Sequence, residues 1–274
     1  AADMAYGRYQ LDQAEKLAYQ LTYTAKEFHL DGVVISGYKR LMKIAMLRGN
    51  ITEVERHKDQ LFEALSCLDD PTSSYLREQV ETTLRLMMGE VKSIPRWFIA
   101  SDSMNQNKLP VYTDGGGILY ACYLSRQENY AELIYYLSML EKRYKNRGYW
   151  SGILRAKILR AVVFMKLGED HQAVDELWKA YQMTYRNHII TPFVGTGKNM
   201  RTLIALAERL ETHPFDKDWL NSVRQKASTY AKKFSVTMSD YRSNATTVDP
   251  GNETLTKREL EVLTALSQGL TREE

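Results

Sequence analysis

The stretch Ile153–Thr184, ILRAKILRAVVFMKLGEDHQAVDELWKAYQMT, decides how the rest of the chain is read. Its first half sets Ile153, Leu154, Ile158, Ala161, Val162 and Met165 at helical spacing, and Leu167-Gly168-Glu169-Asp170 interrupts it. The second half restarts with Ala173, Val174, Leu177, Trp178 and Ala180 near one helical face. Gly168 is a natural stop, because glycine takes the left-handed backbone that ends a helix without the steric cost other residues meet. Two antiparallel helices joined by a tight turn are predicted. Small residues (Ala161, Ala173, Ala180) fall where they press closest.

This hairpin resembles the tetratricopeptide pattern. Ala161 is the small residue at its eighth position and Phe164 the aromatic at its eleventh, and Gly168 marks the turn. Ala173, Leu177 and Ala180 follow at the expected offsets, whereas Lys157 and Arg160 stand where the pattern has its early tryptophan and leucine. Equivalent turn marks recur at Glu128, Gly89, Gly49 and Tyr9, spaced 39 or 40 residues apart. A fixed period with helix-turn-helix units signals an α-solenoid, here with units longer than the usual tetratricopeptide length of about 34 residues. The expected fold class is all-α, a tetratricopeptide-like α-solenoid of hairpins at a period near 40 residues.

Around those marks the units fall into order. The first keeps only its second helix, residues 11–28, so further chain is expected upstream of residue 1 to cap the array. The second is Val33–Met46 with Thr52–Leu65, ended before Pro71. The third pairs Ser74–Met88 with Ile94–Ile99, where Pro95 suits a helix start. Residues 100–117, ASDSMNQNKLPVYTDGGG, read as irregular, an insertion or a functional loop. The fourth unit is Ile118–Ser125 with Tyr130–Tyr144, with Asp114 a candidate N-cap and Gly115-Gly116-Gly117 allowing close helix approach. After the Ile153–Thr184 hairpin, NHIITPFVGTGK reads as irregular, and Asn199–Leu210 with Lys217–Phe234 form a sixth pair across THPFD. The polar, turn-rich SNATTVDPGNET marks a linker at 242–254, leaving 1–241 as the helical-repeat region.

Composition sets few limits. Hydrophobic residues at 44% and charged residues at 26% are ordinary for a globular protein. A net charge of +3 is too mild to argue for nucleic acid by itself. Cys67 and Cys122 lie far apart and form no disulfide framework. No apolar run approaches the roughly 20 residues of a membrane helix, and AADMAYGRYQ lacks the apolar core of a signal peptide. A cytoplasmic protein with no membrane partner is the expectation.

Residues 255–274, LTKRELEVLTALSQGLTREE, carry the sharpest motif. Thr256 with Glu259 forms a capping box, Leu260, Val262, Leu263 and Leu266 an apolar face, and Gly269 a stop. Thr271 with Glu274 opens a second box. This resembles the opening of a LuxR-type helix-turn-helix domain, L-T-x-R-E-x-E-V-L, then a small or apolar stretch, then G-L/Y-S/T. Leu255, Thr256, Arg258, Glu259, Glu261, Val262, Leu263, Gly269, Leu270 and Thr271 match it. Met88-Gly89 with Ile94-Pro95-Arg96-Trp97-Phe98, and Thr191-Pro192-Phe193, look like parts of the repeat region of the large multidomain, ATP-dependent LuxR-type activators, such as the maltose-regulon activator. The resemblance implies an ATPase domain upstream, a repeat region that senses an inducer, and a DNA-binding domain last. Residues 255–274 would be its truncated start, without the recognition helix that reads the major groove. It implies no cofactor in this chain, ATP only in the upstream domain, and DNA binding only by the full-length protein.

In tetratricopeptide-like arrays the first helix of each unit lines the concave face. Counting from the turn marks puts Lys39, Lys43, Gln79, Thr83 and Arg155 there, with Ile118 and Met165 as apolar lining. A groove mixing cations, amide and apolar groups suits an anionic or polar small molecule, or an acidic peptide of a regulatory protein. Ordinary exposed side chains are the alternative. Other features carry less. Gly195-Thr196-Gly197-Lys198 fails as a phosphate-binding loop, since Pro192 occupies its first glycine and Asn199 its Ser/Thr. His29, His57, His171, His188 and His213 show no metal-ligand spacing. The tyrosines of 120–150 are core aromatics or a stacking surface. No catalytic grouping can be picked, so the chain is read as a non-enzyme: a sensor region, with room for self-association. The alternative is a tetratricopeptide-like scaffold for a protein or peptide partner, without a transcriptional role.

Overall fold

The structure, a computed structural model, describes residues 1–68, 71–88 and 115–247. The turns organise it. Tyr9, Gly49, Glu128 and Gly168 all take left-handed backbone, with φ of 62°, 71°, 57° and 78°. So do His29, Gly148 and His188, halfway between successive marks, so the left-handed residue recurs every 20 positions from 9 to 49 and from 128 to 188. At each turn the next residue donates its N–H five residues back. Asn50 reaches Ala45 at 3.0 Å, Tyr149 reaches Tyr144 at 2.9 Å and Glu169 reaches Phe164 at 2.9 Å. Its own carbonyl then accepts the first bond of the following helix, as Glu169 does from Ala173 at 3.0 Å. One two-residue device thus ends one helix and starts another, satisfying end groups that would otherwise lack partners.

Among the described residues twelve helices result and no strand. They are α1 (Ala2–Gly7), α2 (Leu11–Glu27), α3 (Asp31–Arg48), α4 (Ile51–Ser66), α5 (Pro71–Met88), α6 (Gly115–Arg126), α7 (Tyr130–Asn146), α8 (Trp150–Leu167), α9 (Asp170–Gln182), α10 (Thr191–Val194), α11 (Lys198–Leu210) and α12 (Lys217–Thr247). Consecutive helices pack side by side from α1 to α5 and from α6 to α9, and α8 also touches α6, α10 and α11. The chain divides into a unit of Ala1–Met238 and a second from Ser239 onward.

Close approach depends on small residues. Ala161, Ala173 and Ala180 are fully buried between α8 and α9. A Cβ built on Gly37 of α3 would stand 1.9 Å from the Thr22 hydroxyl of α2, and one on Gly117 2.6 Å from Leu140. Those contacts also explain why α6 starts at Gly115 rather than at Ile118. Packing of Gly116 and Gly117 against Tyr75 and Leu140 outweighs the poor helix propensity of glycine.

Lys157 and Arg160, the residues that depart from the tetratricopeptide pattern, replace apolar packing with charge. Glu141 of α7 meets Lys157 at 3.1 Å and Arg160 at 2.9 Å. Glu176 of α9 meets the same two cations at 3.7 and 3.3 Å. All four side chains are mostly buried, and Lys145 and Lys179 close the network from its rim. Burial raises the Glu141 pKa, but hydrogen bonds from Lys145 and Lys157 and the charges of Lys157 and Arg160 outweigh it and hold it down at about 2.

Two expectations change. NHIITPFVGTGK is not wholly irregular: Tyr185–Asn187 forms a 3-10 turn, and Thr191–Val194 a helical turn with Pro192 near its start, where a missing N–H costs nothing. The last helix runs to Thr247, past Phe234 and into the 242–254 stretch read as a linker, since no proline or glycine interrupts it before Pro250-Gly251. Gly89, Ile94–Ile99, Asp114 and the 255–274 motif with Thr256, Arg258, Glu259 and Glu261 lie outside the described residues.

The start of the chain also packs onto the segment that follows α9. The Ile190 N–H donates to the Gly7 carbonyl at 2.8 Å, Arg8 Nε to Asn187 O at 3.1 Å, and the Thr191 hydroxyl to Tyr6 O. Further along, Thr237 Oγ1 donates to Gly49 O at 2.7 Å, and Leu47, Val194 and Tyr230 share an apolar cluster. Residues 179 to 188 positions apart are thus joined by hydrogen bonds.

Candidate functional site

Lys39 and Lys43 sit one turn apart on α3, both half-buried, with Arg40 between them. Across the closure α8 presents Arg155. Its guanidinium is near enough to act on Lys39, Lys43, Tyr6 of α1 and Cys122 of α6. Four elements therefore converge on one cluster.

The electrostatics of this cluster are one-sided. Arg40 is taken: it pairs with Asp3 and lies over the Tyr6 ring, 4.3 Å from its centroid. Lys39, Lys43 and Arg155 have no ion-pair partner among the described residues. Burial pulls the Lys43 amine well below the usual lysine range, and Arg155, Lys39 and Arg40 pull it further, while Asp3 alone opposes them. Lys39 is lowered by burial and then by Arg155 and Arg40. Burial raises the Tyr6 hydroxyl and the Cys122 thiol, each opposed by Arg155, so both stay protonated and neutral near neutral pH.

The other expected groove residues are placed elsewhere or against packing partners. Gln79 is buried on α5 with its amide facing Gly116 of α6, and Thr83 Oγ1 donates back to Gln79 O at 2.8 Å within its own helix. Ile118 is half-buried against the α6–α7–α8 core, one turn before Cys122 on the same helix. Met165 packs against the α8–α9–α11 core, ten residues and so about 15 Å along the helix from Arg155. Lys39, Lys43 and Arg155 come together; the seven do not form one site. Sequence reasoning missed Asp3, Tyr6, Arg40 and Cys122, and only the Lys39-Arg40 pair carried a local signal.

A cationic hollow of about 350 Å³ is lined by Arg48, Gly49, Lys232, Lys233, Val236 and Thr237. It is open, and Arg48 is already held by Asp12 and by Glu15 at 2.8 Å. The largest aromatic cluster is also away from the site. Trp178 stacks on His213 with centroids 5.2 Å apart, and Trp219 meets Tyr181 and Phe193 edge-on at 4.8 and 5.0 Å. These rings join α9, α10 and α12. The tyrosines of 120–150 divide: Tyr136 and Tyr144 are core, while Tyr135 is exposed.

Gly195-Thr196-Gly197-Lys198 is a turn leading into α11, with Gly197 at φ 60° beside Tyr230. Among the described residues no group of His, Cys, Asp and Glu is placed to hold a metal ion, and no helix is long and apolar enough to cross a membrane. No protein-family model matches the chain, and no curated protein matches it.

Proposed function

We propose that this chain is the sensing region of a cytoplasmic LuxR-type transcriptional regulator, a tetratricopeptide-like helical array whose inner face takes a ligand and whose terminal motif belongs to a DNA-binding domain. Three features support the reading. The hairpins repeat on a 20-residue half-period with one turn device, residues 255–274 resemble the opening of a LuxR-type domain, and Lys39, Lys43 and Arg155 have no ion-pair partner among the described residues. The third carries the sensing role, because uncompensated charge on an inner surface is binding energy held for a counter-charge.

Control would work by population shift. A ligand joining α3 to α8 favours the closed arrangement, and it alters DNA binding only by its differential affinity for the two arrangements. Mobility-shift titration of the full-length protein on its own promoter region, with and without ligand, tests this. A ligand-dependent change in DNA affinity is expected. A full-length protein that binds no DNA, or whose DNA affinity no ligand alters, sinks it.

A further inference from the structure

Helix α12 is held in two different ways along its length. Its first half buries Leu220, Val223, Ala227 and Tyr230 on one helical face, and the first three belong to the core built with α8, α9 and α11. Past Tyr230 that face gives out. Lys232, Lys233, Ser235 and Val236 are exposed, Phe234 is half-buried, and Thr237 is the only buried residue between 231 and 237. It is buried against the turn from α3 to α4, where its hydroxyl donates to Gly49 O at 2.7 Å. Phe234, with its ring 5.5 Å from that of Tyr230, edges the small apolar cluster of Leu47, Val194 and Tyr230. Thr237 and Phe234 therefore fasten a helix that has already left the main core, and the second unit begins at Ser239, two residues further on.

The turn they meet is shaped by the contact. Gly49 has left-handed backbone with φ 71°, as Gly168 has with φ 78°. A Cβ on Gly168 would meet nothing within 4 Å, and Tyr9, His29 and Glu128 carry side chains at turns of the same hand. A Cβ on Gly49 would instead stand 2.9 Å from Thr237 Oγ1 and 3.0 Å from Lys233 Cβ. The turn device tolerates a side chain; the approach of α12 does not. We propose that residues 231–238 form a strap that unwinds from the Gly49 turn and recloses on it while the first half of α12 and the helices before it stay folded. Opening of this local kind belongs to segments with few buried apolar contacts, which describes α12 past Tyr230. Because the chain continues from the strap into residue 239 and beyond, the α3–α4 turn controls whether the start of that stretch is held or released. The inference goes beyond the sensing reading and does not rest on it.

Hydrogen exchange of the 274-residue chain, followed peptide by peptide, tests the strap. Amides of 231–238 should exchange well before those of 220–230 and of α8, at a rate that low urea leaves unchanged, since local opening exposes little surface. Thr237→Val should speed exchange of both 231–238 and 47–52 about fivefold, the worth of one hydrogen bond. Thr237→Ser, which keeps the hydroxyl, should restore the wild-type rate. Gly49→Ala should speed the same two segments further. Gly168→Ala carries the same left-handed strain into open space and should leave both segments as they are, which separates a lost strap from a strained turn. Exchange of 231–238 that only keeps pace with α8 shows a fixed helix and overturns the strap. So does a Thr237→Val protein in which either segment exchanges at the wild-type rate. The expected exchange in a full-length protein that binds no DNA leaves the strap standing and removes only the regulator.

Discussion

Helix α8 carries its cations into two different settings. Lys157 and Arg160 point to its neighbours and meet Glu141 and Glu176 in a closed, mostly buried network. Arg155, two residues earlier, is exposed and has no ion-pair partner among the described residues, and its charge acts on Lys39, Lys43 and Cys122. The first setting is charge solved within the chain, and it holds three helices in register. The second leaves a positive excess that costs stability and is useful only if an anion arrives. The difference separates a structural ion network from a binding site, and it can be broken by mutation.

Removing one acid from the balanced network should have the largest effect. Glu141→Ala leaves Lys157 and Arg160 buried with Glu176 as their only acid, and breaking a buried pair this way costs about 3–5 kcal/mol. Urea unfolding should show the midpoint falling by that amount at unchanged slope; a shift under 1 kcal/mol would make the network incidental. Acid gives the next effect. The folded Glu141 pKa, about 2, lies below its ordinary 4.5, so its contribution is fully present above pH 4.5 and fades as pH falls toward 2. The loss should be roughly 2–3 kcal/mol, and Glu141→Ala should flatten that limb of the stability–pH curve. An unchanged limb would mean another carboxylate carries it.

How much of this was legible follows from sequence distance. The turn marks were readable because each needs one local conformation, and Gly49 and Gly168 announce it. Tyr9 and Glu128 were found only by period, and His29 and His188 went unnoticed because histidine, though enriched at left-handed positions, does not announce one as glycine does. Lys39, Lys43 and Arg155 followed from helical phase. Gln79, Thr83 and Met165 share that phase but meet different neighbours, α6 and the α9–α11 core. Tyr6 and Asp3 are placed there only because α1 is clasped to residues 187–191, a contact no local pattern encodes. The network was visible only as a departure, two cations standing where apolar residues were expected.

A smaller effect, of opposite sign, should mark the inner cluster. Lys43→Met removes a charge whose neighbours are Arg155, Lys39 and Arg40, so the protein should gain stability at low salt. High salt should shrink the gain by screening. The pH dependence agrees in sign. A lysine whose pKa is lowered in the folded state gives up its proton at a lower pH than in the unfolded chain, so wild-type stability should rise with pH toward 10.5. In Lys43→Met that rise should be reduced. A variant less stable than wild type at low salt would mean that Lys43 has an internal partner and that the cluster is balanced after all.

The smallest effect is the sharpest test. Asp3 is the sole acid acting on Lys43, and its carboxylate is largely exposed, 81% by side-chain area. Asp3→Asn should therefore cost only a few tenths of a kcal/mol, as exposed ion pairs do. In the balanced network an acid is needed for stability; beside Lys43 the acid is dispensable. Urea unfolding of Asp3→Asn checks this, since a loss as large as that of Glu141→Ala would show that Asp3 organises the cluster.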